Sequence, residues 1–435
     1  MRIIRTDDAE FEGQFQRIRE RGRTFDPELW ASVGRIVDDV ALRGDEALFA
    51  YTARWDGHAV DAATVEASPE ERREAAARVM PEDLAILRLA AERIERFHER
   101  QRQEGWSIAD EAGVELGQRI LPLARVGIYA PGGLASYPST VLMTAIPARI
   151  AGVDEIILVT PSRDGRLQPV IAAAAELAGV SRIFKIGGAQ AIAALAYGTA
   201  SIPQVDKIVG PGNAYVATAK KMVFGRVAID MIAGPSEVLI IADGTGEAAF
   251  AAADLLAQAE HDETASALIL TPDEAFARAV AAEVEEQLPR LLRNDIASRS
   301  LAAFGAAVVT RDLTEAVGLA NRFSPEHLEL MVQNPRELLS GIRNAGAVFL
   351  GMYTPEALGD YLAGPNHVLP TGGTARFASP LGVYDFVKRT SILEFSREAL
   401  ERYGNQTARF AGIEGLGGHG NSVRVRLEMK KILTK

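Results

Sequence analysis

The sequence predicts an α/β protein of two lobes on parallel-rich sheets, with a helical N-terminal region and a small helical C-terminal extension. Three observations carry this. From about Arg125 onward, short β-rich runs alternate with Ala-rich helical ones, the pattern of βαβ units. Before that point the chain shows helix-start signals instead. Its 435 residues, 48% of them hydrophobic, allow two to three domains at ~150 residues each.

In the N-terminal region, Asp26-Pro27 places an N-cap before a proline at the first helical position and predicts a helix through about Leu48. Pro69-Glu-Glu and Pro81-Glu-Asp open two more, with acids at the positive end of the helix dipole. The second of these runs to about Gln103 on an apolar stripe at Leu84, Leu87, Leu89 and Ile94. Strands are then expected at Val126–Tyr129, Ile156–Val159, Ile183–Ile186 and Lys207–Val209, with helices from Thr140, Gln168 and Gln190. A second series has strands at Val238–Ala242, Ala267–Leu270, Ala307–Val309 and Ala347–Leu350, and helices near Glu247, Asp273, Leu313 and Pro355. The seam between the lobes falls near Gly234-Pro235, and the tail after about Asp385 reads as helical.

Composition excludes several functions. A net charge of −11, with no basic run longer than Met429-Lys430-Lys431, argues against a nucleic-acid partner. The first eight residues hold no apolar core of signal-peptide length. The longest uncharged stretch, Ile186 to Val205, is broken by glycines and Pro203 and reads as a buried loop and helix, so no membrane span is expected. Cysteine is absent, which excludes disulfides and fits a reducing cytoplasm. Any zinc site must therefore use N and O ligands, and any aldehyde oxidation must proceed without a thiol nucleophile.

Six histidines serve the whole chain, and four of them fall after residue 260, each in a polar cluster. Gln258 and His261 are three apart near a predicted helix end, so both side chains share one face. Glu326-His327 sets an acid beside a base. Asp360 and His367 flank a Gly- and Pro-containing loop, and Glu414 and His419 lie in a Gly-rich one. Each cluster alone also fits a helix cap, a turn or an exposed loop. Together, in so His-poor a chain, they point to one metal site. Three Gly-rich turns follow predicted strands: Ala130-Pro-Gly-Gly133, Gly187-Gly188 and Gly210-Pro-Gly-Asn213. Each alone fits an ordinary tight turn; together they suit a nucleotide-sized crevice at strand ends. The only G-x-G-x-x-G, Gly415–Gly420, follows no clear strand and leaves fifteen residues after it, too few for a dinucleotide-binding unit.

Longer runs resemble the histidinol dehydrogenase family: Gly210-Pro-Gly-Asn-Ala-Tyr-Val216, Ile229-Asp-Met-Ile-Ala-Gly-Pro-Ser-Glu-Val238, Gln258-Ala-Glu-His-Asp262, Ser324-Pro-Glu-His-Leu-Glu-Leu330, Tyr353-Thr-Pro-Glu-Ala-Leu-Gly-Asp-Tyr361, Gly364–Arg376 and Glu414-Gly-Leu…His419. The similarity covers essentially the whole chain. It implies oxidation of L-histidinol to L-histidine through L-histidinal with two NAD, the last two steps of histidine biosynthesis. It implies one Zn²⁺ per subunit on Gln258, His261, Asp360 and His419, and proton transfer by Glu326 and His327. Ser236, His367 and Glu414 join the ligands and His327 as substrate contacts. Tyr129, Gln190 and Asn213 match cofactor contacts.

The architecture implied by the resemblance is two related Rossmann-like lobes in a homodimer, whose C-terminal segment brings Glu414 and His419 to the partner's site. The corresponding division of the chain is 1–24 as an N-terminal segment, 25–124 with 235–384 as the catalytic and metal-binding lobe, 125–234 as the cofactor lobe, and 385–435 as the extension. In the implied chemistry His327 takes the alcohol proton and Glu326 activates water against the aldehyde. Rival readings are a sister dehydrogenase of another small alcohol, a zinc hydrolase with Glu326 activating water, and a non-catalytic zinc scaffold. His367 and Glu414, a His and an acid, suit a cationic amino alcohol and favour histidinol over the first. The three Gly-rich turns are unexplained by the second, and the third would tolerate loss of Glu326 and His327.

Overall fold

The computed structural model describes residues 1–21, 26–110, 113–132, 136–162 and 164–428. Gly133 and the Met429-Lys430-Lys431 run lie outside them. Strands in chain order are β1 (Ile3–Arg5), β2 (Trp106–Ala109), β3 (Val114–Pro122), β4 (Arg125–Tyr129), β5 (Glu155–Val159), β6 (Arg182–Phe184), β7 (Lys207–Val209), β8 (Ala228–Ile229), β9 (Glu237–Ala242), β10 (Ser266–Thr271), β11 (Ala306–Val309), β12 (His327–Met331), β13 (Ala347–Leu350) and β14 (Val387–Phe395). The chain divides into two compact units, Met1–Gln101 with Leu123–Phe386, and Arg102–Pro122 with the chain from Val387.

The first unit contains two parallel sheets, ordered β6-β5-β4-β7-β8 and β1-β11-β10-β9-β12-β13. Central strands such as β5, β9 and β10 have largely continuous apolar runs because both faces are covered. Strand alternation divides the cores. Val126, Ile128, Ile156 and Leu158 enter one core with the helices Pro81–His98, Pro138–Ala151 and Pro169–Ala178. Ile157 and Val159 enter another with Pro27–Arg43 and Gly188–Tyr197. In the second sheet Val238, Ile240 and Ala242 face one helical layer while Leu239 and Ile241 face the other. The helices between residues 27 and 98 thus pack on the five-stranded sheet, and β1 extends the six-stranded one.

Most expected elements are present within a residue or two. Asp26 Oδ1 accepts from the Glu28 and Leu29 amides as an N-cap. Its helix stops at Arg43, short of Leu48, because Gly44 turns at φ 57° and a separate helix, Asp45–Trp55, begins. The helix Pro81–His98 ends five residues before Gln103. Two expectations fail: the region before Arg125 is not wholly helical, and the tail is not purely so.

Apart from β1, those exceptions belong to the second unit. Here β14 pairs antiparallel with β3 over nine residues and β3 with β2, and the helices Arg397–Ile413 and Gly417–Glu428 pack together. Within this unit nearly all of β2 and β14 is exposed, so neither carries the inside–outside alternation that marks a half-buried strand. The Gly415–Gly420 run follows a helix and opens another, as expected of a run that is no dinucleotide fingerprint.

Candidate active site

A cavity of about 350 Å³ lies in the first unit, and both sheets contribute to it. The Gly210–Asn213 turn reaches it from the carboxyl end of β7. Ser236, Glu326 and His327 reach it from the amino ends of β9 and β12. In each sheet the strand order reverses between these neighbours, at β4/β7 and at β9/β12. The first follows the rule that ligands sit at strand carboxyl ends at such switch points; the second is at the opposite ends.

The Glu326-His327 pair is locked in place. Ser324, φ 58°, is the only non-glycine with positive φ among the described residues; it ends the helix Leu313–Phe323 and turns the chain into Pro325-Glu326. The Glu237 amide donates to Glu326 Oε2 at 2.9 Å, and the Glu326 amide donates to Glu237 Oε2 at 3.1 Å. Glu237 is fully enclosed and meets Arg21 at 3.2 Å. His327 Nδ1 lies 3.0 Å from the Glu237 carbonyl, which can only accept, so Nδ1 carries a proton and the second proton is gained or lost at Nε2. Nε2 has no hydrogen-bond partner, although Asp360 Oδ1 stands 3.7 Å away.

Electrostatics set the proton affinities. Burial pushes the Glu326 carboxyl up to about 7, against the pull of His327 and with the repulsion of Glu237. Burial likewise pushes Glu356 up to about 8. For His327 burial works downward, but Glu356, Glu326 and Asp360 outweigh it and hold the imidazole well above its ordinary value. Asp360 goes the other way: burial is overcome by His327, His367 and His261, so its carboxyl sits below the usual range.

Three of the four expected metal ligands, Gln258, His261 and Asp360, line the cavity. His261, Glu356 and Asp360 place ligand atoms within 4.8 Å of one another. Gln258 Nε2 lies 3.4 Å from His327 Nδ1, while Gln258 Oε1 and Glu356 Oε2 are buried without partners. His367 lines the same cavity; its Nδ1 meets the Asp360 carbonyl at 3.0 Å, and burial lowers its affinity for a second proton. Its loop is pinned by Asn366, whose amide donates to the Met143 carbonyl at 2.6 Å. Ser236 is also on the wall. Glu414 and His419 belong to the second unit, where both are exposed.

Of the expected cofactor contacts, Asn213 caps the helix Ala214–Val223 through its Oδ1 and lines the cavity. Tyr129 and Gln190 meet at the Gly187-Gly188 turn. The Gly188 amide donates to Tyr129 Oη at 3.1 Å, burial pushes that phenol up to about 12, and neither amide atom of Gln190 has a partner.

Sequence reasoning missed Glu356, Glu237 and Arg21. Glu356 and Asp360 are four apart in the helix Glu356–Tyr361, a spacing that sets both carboxylates on one face and was legible. Arg21 and Glu237 are joined only by tertiary packing and gave no local signal.

Residues 19–427 match the family model described as histidinol dehydrogenase. A histidinol dehydrogenase from Syntrophotalea carbinolica is 57% identical over 98% of this chain and 99% of its own. One from Geobacter metallireducens is 56% identical over 98% of each. The solved structure of histidinol dehydrogenase from Elizabethkingia anophelis superposes with a TM-score of 0.92 at 36% identity, covering 99% of both chains. Matched over nearly all of its length in sequence and in fold, the chain belongs to the histidinol dehydrogenase family.

Proposed function

We propose that this enzyme oxidises L-histidinol to L-histidine through L-histidinal, with zinc and two NAD⁺, in the cytoplasm, as the last two steps of histidine biosynthesis. The observation that supports this is the meeting of the Glu326-His327 pair with Gln258, His261 and Asp360 at one cavity that the Gly210–Asn213 turn also enters. The donor set of imidazole, carboxamide and carboxylate fits zinc in an N/O site, and Gln258 Oε1 is a buried oxygen in want of a cation. Gln258, His261 and Asp360 would hold the metal, with His419 of a second copy as the fourth ligand. Tyr129, Gln190 and Asn213 would hold NAD⁺, and the unpaired amide of Gln190 fits a ligand that brings its own polar groups. When bound, zinc would orient the substrate's imidazole and amine, and NAD⁺ would supply the hydride acceptor for its carbinol carbon.

The chain's own residues then move protons. In its neutral form His327, whose Nδ1 is tied to the Glu237 carbonyl, takes the hydroxyl proton on Nε2 as the first hydride leaves. The aldehyde meets water, since no cysteine exists to attack it. Glu326, with a proton affinity near neutrality, takes a proton from that water as its oxygen bonds to the carbonyl carbon, while the C=O π bond opens and His327 gives the proton it took earlier to the carbonyl oxygen, forming the gem-diol. His327, neutral again, accepts a proton from the gem-diol as the second hydride leaves. Holding the aldehyde in place protects it between steps. Ser236, His367 and Glu414 contact the substrate. The second unit leaves Phe410 and Ile413 exposed beside Glu414, which supports a homodimer in which this segment completes the partner's site.

NADH formation from L-histidinol and NAD⁺, on zinc-loaded and chelator-treated protein, tests the proposal. Two NADH per histidinol, lost on chelation, are expected. Zinc-loaded protein that forms no NADH from histidinol rejects it in favour of another small alcohol.

A further inference from the structure

Leaving a buried polar atom unpaired is costly, so such atoms collect where a ligand is to bind. Among the described residues ten buried side-chain nitrogens and oxygens lack a partner. Three belong to Gln258, His327 and Glu356 in the cavity above. Five belong to another group: Asp56 Oδ2, both ring nitrogens of His58 and both amide atoms of Gln190. Neither Asp56 nor His58 has a part in the chemistry proposed so far.

Both residues follow the helix Asp45–Trp55 and reach over the carboxyl ends of the five-stranded sheet. The Gly187 amide, in the turn after β6, faces the Asp56 carboxylate and favours its charged form. Tyr129, at the end of β4, feels the charge of Asp56. The His58 ring packs on Gly165, in the loop after β5, 3.3 Å from where a Cβ would stand. Gly188, at φ 65°, opens the ten-residue helix Gly188–Tyr197, and a Cβ there would fall 2.5 Å from Gln190 Oε1. A helix N-terminus, a glycine turn, an acid, an imidazole and an unpaired carboxamide therefore meet at the carboxyl ends of three parallel strands. Helix N-termini in such positions attract phosphate, and a nearby acid takes ribose hydroxyls. In the usual dinucleotide fingerprint that acid closes the second strand of the same sheet; here it arrives from the N-terminal helices.

We propose that Asp56, supported by His58, accepts the 2′ and 3′ hydroxyls of the adenosine ribose and so selects NAD⁺ over its 2′-phosphorylated counterpart. This rests on the reading that the enzyme uses NAD. The two carboxylate oxygens match two neighbouring hydroxyl donors, and their charge repels a phosphate on the same ring. Burial pushes the Asp56 carboxyl up to about 6, opposed by only His58 and the Gly187 amide, as befits an acid short of donors.

Calorimetric titration of NAD⁺ and NADP⁺ into the full-length protein, without histidinol, tests the assignment. The unaltered protein is expected to prefer NAD⁺. Asp56→Asn, with helix content checked by circular dichroism, should bind NAD⁺ about tenfold more weakly and lose most of its preference over NADP⁺. His58→Gln should shift both quantities the same way by less, and stands as the test if Asp56→Asn does not fold. A folded Asp56→Asn, or in its place a His58→Gln, with unchanged affinity and preference overturns the assignment while leaving the NAD reading intact. Unaltered protein that binds neither dinucleotide overturns both.

Discussion

Arg21→Leu should be among the most damaging single changes outside the cavity. Arg21 and Glu237 are 1% and 2% exposed and 3.2 Å apart. At that separation and an effective dielectric of ~20 the pair attracts by roughly 5 kcal/mol. Arg21 also donates to the Thr264 carbonyl at 2.8 Å and to those of Ile18 and Ser236 at 3.1 Å. Breaking a buried pair from one side costs about 3–5 kcal/mol, because the remaining charge is stranded. The loss should depend on pH. Burial already raises the Glu237 carboxyl, and Arg21 is the first of the groups opposing it. Without Arg21 it rises further, so the folded state binds a proton that the unfolded state releases. That proton's contribution is full below the unfolded carboxyl value of about 4.3 and disappears as pH climbs through the folded value. Denaturant unfolding followed by circular dichroism at about pH 5 and about pH 8 should show the larger deficit at about pH 8. Adding Glu237→Gln should recover ~1 kcal/mol or more at the higher pH, the carbonyl bonds remaining lost. A deficit equal at both pH values and unrelieved by Glu237→Gln would refute the argument that stranded charge is the cause.

Three further changes address the site and its supports. Glu356→Gln removes the strongest charge holding the His327 imidazole up, 3.7 Å from its Nδ1, so the acid limb of the kcat/KM profile for histidinol should move to lower pH; no movement would show that Glu356 does not act through His327. Glu326→Gln should impair histidinal oxidation more than histidinol oxidation in separate stopped-flow assays, and equal losses would sink the division of roles. Gly210→Ala puts a Cβ 2.2 Å from the Tyr129 carbonyl at φ 110°, and should lower stability in thermal denaturation by roughly 2–4 kcal/mol; a loss under ~0.5 kcal/mol would mean the turn yields freely.

Much of the fold was legible because its signals are local. Past their polar ends the runs at β5, β9 and β10 are continuously apolar, as befits a sheet covered on both faces. Prolines at the first helical positions of Pro27–Arg43, Pro69–Ala76 and Pro81–His98 marked helix starts. The strands β2 and β14 were not legible. Exposed on both sides within their unit, they owe their place to pairing with β3 rather than to an apolar face. At the site, Gln258 with His261 and Glu326 with His327 stood out as short-range pairs of chemically suited residues. Glu356 was passed over beside Asp360 although the helical spacing was readable.

By itself the sequence determined the α/β class, the two series of alternating elements, the family and the absence of a thiol, because each follows from residue type and near-neighbour spacing. Tertiary structure alone decided which polar groups share one low-dielectric space. It set the Glu237 carbonyl against His327 Nδ1 and left Nε2 without a hydrogen-bond partner. It buried Arg21 against Glu237 across more than 200 positions of chain and carried Asp56 from an N-terminal helix to the Gly187 amide. Proton affinity depends on burial and on charges a few ångströms away, and neither is a property of neighbours in sequence.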